Sequence, residues 1–68
     1  MSREEELEDL RAARRTRMDH MFNILADSYA GSPKALEVAQ KNFRDGLRFT
    51  RDAATFAEHE INNLFKED

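Results

Sequence analysis

Cysteine is absent from this 68-residue chain, and glycine and proline together supply only three residues. Without cysteine no disulfide can brace the fold, and no thiolate can serve as a nucleophile. The same absence fits a reducing compartment, so a cytoplasmic location is expected. The two glycines are isolated from each other and form no phosphate-cradling loop. No apolar run approaches the roughly 18 residues of a membrane span, and no membrane partner is expected. The opening stretch MSREEELEDL is acidic, the wrong sign for a signal or transit peptide.

What fills the chain instead is charge, at 37% of all residues. With so little glycine and proline, that profile suits long, solvated helices rather than sheets or typical disorder. A formal net charge of −3 argues against a general nucleic-acid binder. At this length a single hydrophobic core is marginal, and with no disulfide available, self-association or a partner protein is left to complete it.

The breakers fall together in DSYAGSPKA. Gly31 can take the left-handed conformation that closes a helix, Ser32 can cap the next one, and Pro33 suits its first turn. At the other end, Ser2 followed three residues later by Glu5 reads as a capping box. Glu4, Glu5 and Glu6 lie where the helix dipole favours negative charge. Residues 1–68 are therefore read as one helical-hairpin domain of all-α class. Helix 1 is expected over about 3–29, a turn at 30–32, and helix 2 over about 33–65, the two antiparallel.

The expected apolar stripe of helix 1 is Leu7, Leu10, Met18, Met21, Phe22, Leu25 and Tyr29. That of helix 2 is Leu36, Ala39, Phe43, Leu47, Thr50, Ala54, Ala57, Ile61 and Phe65. Helix 2 carries a second line beside it, with Ala35, Val38, Asn42, Gly46, Phe49, Ala53 and Phe56. Together the lines cover about half the helix circumference, wider than docking on one neighbour requires. Val38, Gly46, Phe49, Ala53 and Phe56 are thus the candidate partner or dimer interface. Mid-helix Gly46 costs about 0.8–1 kcal/mol relative to Ala, which close approach of a further helix would offset.

Arginine outnumbers lysine eight to three. Arg11, Arg14, Arg15 and Arg17 of helix 1 and Arg44, Arg48 and Arg51 of helix 2 fall at similar heights in a hairpin turning near Gly31. In such a hairpin the numbers of facing residues add to about 62. Arg17 then faces Asp45 and Arg11 faces Asp52. Arg14 lies on the apolar line of helix 1, where a guanidinium is expected to find a carboxylate. This band reads first as internal pairing or a protein contact, and secondly as a phosphate or nucleic-acid surface. In architecture, a two-fold pair of such hairpins is similar to the plasmid RNA-binding protein Rop. In outline, short hairpins of this kind also resemble the small co-chaperones of bacterial type III secretion.

His20 and His59 have acidic neighbours in sequence, but neither has a second histidine three or four residues away on its helix face. No metal site is expected, and no cofactor. Nor is a histidine placed near a serine that could act as nucleophile, and a thin bundle offers little concave space for a small-molecule substrate. Met18, Met21, Phe22 and Leu25 read as core rather than as an adaptable docking groove.

The expectation is a small non-enzymatic protein–protein interaction module, an adaptor, co-chaperone or regulator of a larger protein. Dimerisation into a four-helix bundle, a larger protein partner, or both would cover its second face. The alternatives are a Rop-like nucleic-acid-binding regulator and a structural subunit of a larger assembly. A parallel dimer with helix 2 as a coiled coil is a further arrangement open to this pattern.

Overall fold

The computed structural model describes residues 2–66. Its elements are two helices, α1 over Arg3–Ser28 and α2 over Pro33–Leu64, with no strand among the described residues. Each begins as the sequence dictates. The Ser2 hydroxyl accepts a hydrogen bond from the Glu5 backbone N–H at 3.2 Å, and the Glu5 carboxylate accepts from the Ser2 N–H at 2.8 Å. Two of the orphan donors of the first turn are thereby satisfied. Ser32 caps α2 in the same way, accepting from the Ala35 N–H at 3.2 Å, with Pro33 in the first turn.

The stop between the helices is made differently from the sequence expectation. No described residue has positive φ, so Gly31 does not use the left-handed region. Instead α1 ends one residue early, and its last turn tightens. Tyr29, Ala30 and Gly31 donate to the carbonyls of Ala26, Asp27 and Ser28, each three residues back, at 3.1–3.2 Å. Such bonds satisfy the orphan carbonyls without a glycine-specific conformation. At the far end α2 also stops one residue short of expectation, with Phe65 as its cap.

The chain measures 55 × 16 × 7 Å between Cα extremes. That is one layer of two helices, whereas a stable core ordinarily needs two packed layers. Among the described residues only Thr50 and Ala54, neighbours one turn apart on α2, are buried. Around them Leu7, Leu10, Met21 and Leu25 of α1 and Leu36, Ala39, Phe43, Ala57 and Ile61 of α2 are half-buried, as is Phe65 just beyond it. The α2 stripe thus meets α1 as its spacing requires, apart from Leu47 at its margin. On α1 the stripe was read too broadly: Met18, Phe22 and Tyr29 are exposed. They sit to one side of the line through Leu7, Leu10, Met21 and Leu25, and one neighbour covers only one line.

The residues that meet across the hairpin lie further along than an expected sum of about 62 allows. Arg3 donates to Asn62 at 3.4 Å, Arg17 to Thr50 at 2.7 Å, and Gln40 to the Tyr29 hydroxyl at 3.3 Å. The reason is directional. Every helical side chain leans toward its own N-terminus. In an antiparallel pair those ends are opposite, so each helix hands its side-chain tips in the other direction, and the facing partner shifts by several residues.

Candidate interaction surface

A hairpin one helix thick has two broad sides, and α1 and α2 contribute to both. On one side a groove of about 470 Å³ runs between the helices. Leu10, Ala13, Arg14 and Arg17 of α1 line it, with Phe49, Thr50, Ala53, Ala54 and Ala57 of α2. Its floor is mostly methyl groups, because the positions facing inward along α2 are Ala53, Ala54 and Ala57. Phe49 forms its wall, and Phe56 stands beside it, one seven-residue step further along the same face. Nearer the turn, Ile24 and Asn42 line a smaller hollow on the same side.

Large apolar groups are strongly exposed here: Val38 at 51%, Phe49 at 56%, Ile24 at 53% and Phe56 at 67%. Ala53 is exposed as well. Isolated surface apolar residues are ordinary, but a continuous row of them marks an interaction site or an aggregation liability. Arg48 lies over the Phe49 ring, its guanidinium carbon 5.0 Å from the centroid. At such an exposed site that contact contributes about 0.5–1 kcal/mol.

Gly46 stands apart from the other four residues of the candidate interface. It is half-buried and faces α1, where a Cβ at its position would lie 2.7 Å from the Met21 sulfur. Its close approach is therefore taken up by Met21 within the hairpin.

The arginine pairings differ from the sequence expectation as well. Arg17 bonds to Thr50 rather than to Asp45, and Thr50 in turn points its hydroxyl at the Met21 sulfur, 4.0 Å away. Arg11 pairs with Glu8 on its own helix at 3.0 Å rather than with Asp52, and Arg15 reaches the same carboxylate at 3.5 Å. Asp52 pairs with its neighbour Arg51 at 3.6 Å. Asp45 belongs to Lys41, one turn back, at 3.0 Å. The Lys41 hydrogen bond, with that ammonium's charge, holds the Asp45 carboxyl below its ordinary value. Arg14 is exposed, and no carboxylate pairs with it, Arg44 or Arg48 among the described residues. The shift in register explains the lost cross-hairpin pairs, and the single-layer fold explains why Arg14 stays in water.

The opposite side mixes apolar and charged groups. Met18 and Leu47 line a hollow of about 250 Å³ with Arg14 and Arg15, while Arg11, Arg14 and Arg51 line another with Glu58. There Met18 and Leu47 alternate with arginines, whereas the groove on the other side is floored by alanine. His20 and His59 are both exposed. No three potential metal-ligating side chains gather among the described residues, and no described helix is long and apolar enough to cross a membrane.

Sequence reasoning assigned the second face to α2 alone and missed the share of α1. Leu10, Ala13, Arg17 and Ile24 recur at three-, four- and seven-residue steps, a signal that was present but masked by the arginines around it. Compared with protein-family models, curated proteins and solved structures, the chain matches none.

Proposed function

We propose that this chain is a small non-enzymatic protein–protein interaction module, acting as an adaptor or regulator of a larger assembly through the side that carries Phe49, Ala53 and Phe56. Dimerisation into a four-helix bundle is one way of engaging that side. One observation carries the reading: a helical layer with two buried residues among those described leaves exposed aromatic and aliphatic groups in water beside an alanine-floored groove. Covering Phe49 and Phe56 contributes about 1.5–3 kcal/mol each. The groove lets a partner helix approach closely, while Arg14 and Arg17 at its rim fix the partner's register.

A nucleic-acid reading has one observation in its favour, the absence of carboxylate partners for Arg14, Arg44 and Arg48 among the described residues. Against it stand the net charge and the engagement of Arg11 and Arg15 by Glu8.

Replacing Phe49 and Phe56 with Asp tests the proposal. Each change should weaken association at least tenfold, since about 1.4 kcal/mol corresponds to a factor of ten. The helical circular dichroism of the hairpin itself should persist. Association that survives both substitutions, yet collapses as salt is raised, would favour the phosphate-binding alternative.

A further inference from the structure

We infer that the groove face is occupied by a second copy of this chain, laid face to face and running in the opposite direction. The two-fold axis crosses α2 at Ala53 and α1 midway between Leu10 and Ala13. This rests on the reading of that face as an interaction surface and specifies what it meets.

Area supports a partner of this size. A compact folded chain of 7.9 kDa exposes about 4,400 Å². This one exposes 5476 Å², roughly a quarter more than that scaling gives. Two copies brought to the compactness usual for their joint mass would bury about 3,600 Å² between them. That falls within the roughly 2,000–5,000 Å² of obligate homodimers.

Self-complementarity selects a second copy over a stranger. A two-fold contact requires each group to meet a suitable one at equal distance beyond the axis. Along α1 the face runs Glu6, Leu10, Ala13, Arg17. Turned end for end about its midpoint, it sets Glu6 against Arg17 of the second copy and Leu10 against Ala13. On α2 the same turn about Ala53 brings Phe49 to within one residue of the level of Phe56 of the second copy, on either side of two facing methyl groups. A single axis can serve both helices, because Leu10, Ala13 and Ala53 all line the middle stretch of one groove.

The charges agree with this direction. Arg17 spends its Nε on Thr50, and its two terminal nitrogens form no ion pair among the described residues. They remain as a fork for a carboxylate. Glu6, half-buried on the same face, has no cationic partner among the described residues either. Pairing in the same direction would instead lay α1 of one copy on α2 of the other at equal height. Since Arg3 reaches Asn62, that arrangement brings Glu6 to the level of Glu60, a like-charge contact.

Single cysteines report the geometry without interference, because the natural chain has none. Ala53→Cys sits on the axis and should join two copies on mild oxidation. Asn42→Cys lies eleven residues away, so its two copies are about 33 Å apart at 1.5 Å per residue, beyond disulfide reach. It should stay unlinked alone but join Leu64→Cys when the two variants are mixed. The unmodified chain should sediment at twice 7.9 kDa.

A doubled mass with neither self-linking of Ala53→Cys nor the mixed product of Asn42→Cys and Leu64→Cys, or self-linking of Asn42→Cys, would overturn the antiparallel pairing while leaving the interaction face in place. A chain that stays monomeric at all concentrations would overturn the second copy. If that monomer binds an apolar dye, and loses the dye on Phe49→Asp, the face still stands as an interaction surface. A monomer that binds no dye overturns both readings.

Discussion

Gly46→Ala pits two comparable effects against each other. In a helix interior, alanine is favoured over glycine by about 0.8–1 kcal/mol. Against this, the new methyl carbon would lie 2.7 Å from the Met21 sulfur, and 3.9 Å from its terminal methyl. Real carbons do not approach so closely, so Met21 must rotate away. Crowding of this kind costs about 1–3 kcal/mol in a well-packed core. The lower end applies, because methionine is flexible and the seam is only half-buried. The two terms nearly cancel, and the substitution should change stability by less than about 0.5 kcal/mol. In a Met21→Ala background the obstacle is gone, and the same substitution should stabilise by about 0.8–1 kcal/mol. The difference is a coupling of about 1 kcal/mol between two residues 25 positions apart. Urea unfolding followed by far-ultraviolet circular dichroism measures it. All four variants must be compared at one protein concentration, because any association adds to apparent stability. Equal stabilisation in both backgrounds would refute the Met21–Gly46 contact, and with it the register of the hairpin.

The Arg17–Thr50 bond predicts an asymmetry between its partners: Arg17→Ala strands a buried hydroxyl and should cost about 1 kcal/mol or more, whereas Thr50→Val returns the guanidinium to water and should cost less than about 1 kcal/mol, both read from urea midpoints. Asp45 is held below the ordinary aspartate value of 3.8, chiefly by the Lys41 hydrogen bond. A depressed folded-state value means that its contribution is complete above that pH and is lost as pH falls through the lower folded value. Lys41→Met should therefore move the Asp45 carboxyl resonance in a nuclear magnetic resonance titration upward toward 3.8, and an unchanged midpoint would contradict the pairing.

The elements themselves were legible because their signals are local. Ser2 with Glu5, Ser32 with Pro33, and the three- and four-residue spacing from Leu36 to Phe65 each act within one or two turns. The candidate surface was legible in part. Phe49, Ala53 and Phe56 lie on one strip of α2 by spacing alone. Ala13 was overlooked because the arginines beside it draw attention to charge, and Ile24 because Phe22 and Leu25 beside it fit the neighbouring line, although the helical period places both on the groove side. Arg17 could not be placed from sequence. Whether its guanidinium meets Asp45 or Thr50 depends on an axial shift of a few residues, and no local pattern encodes that shift.

Hydrophobic period, capping chemistry and the scarcity of breakers thus determined two long helices, a tight reversal and an α2 too apolar around its girth for one neighbour. Tertiary packing alone decided that Arg17 reaches Thr50 rather than a carboxylate and that Gly46 receives Met21. The division follows from distance along the chain. Helix formation is settled by groups three or four residues apart, whereas register across the hairpin depends on how two sets of leaning side chains interlock, which only the assembled pair of helices fixes.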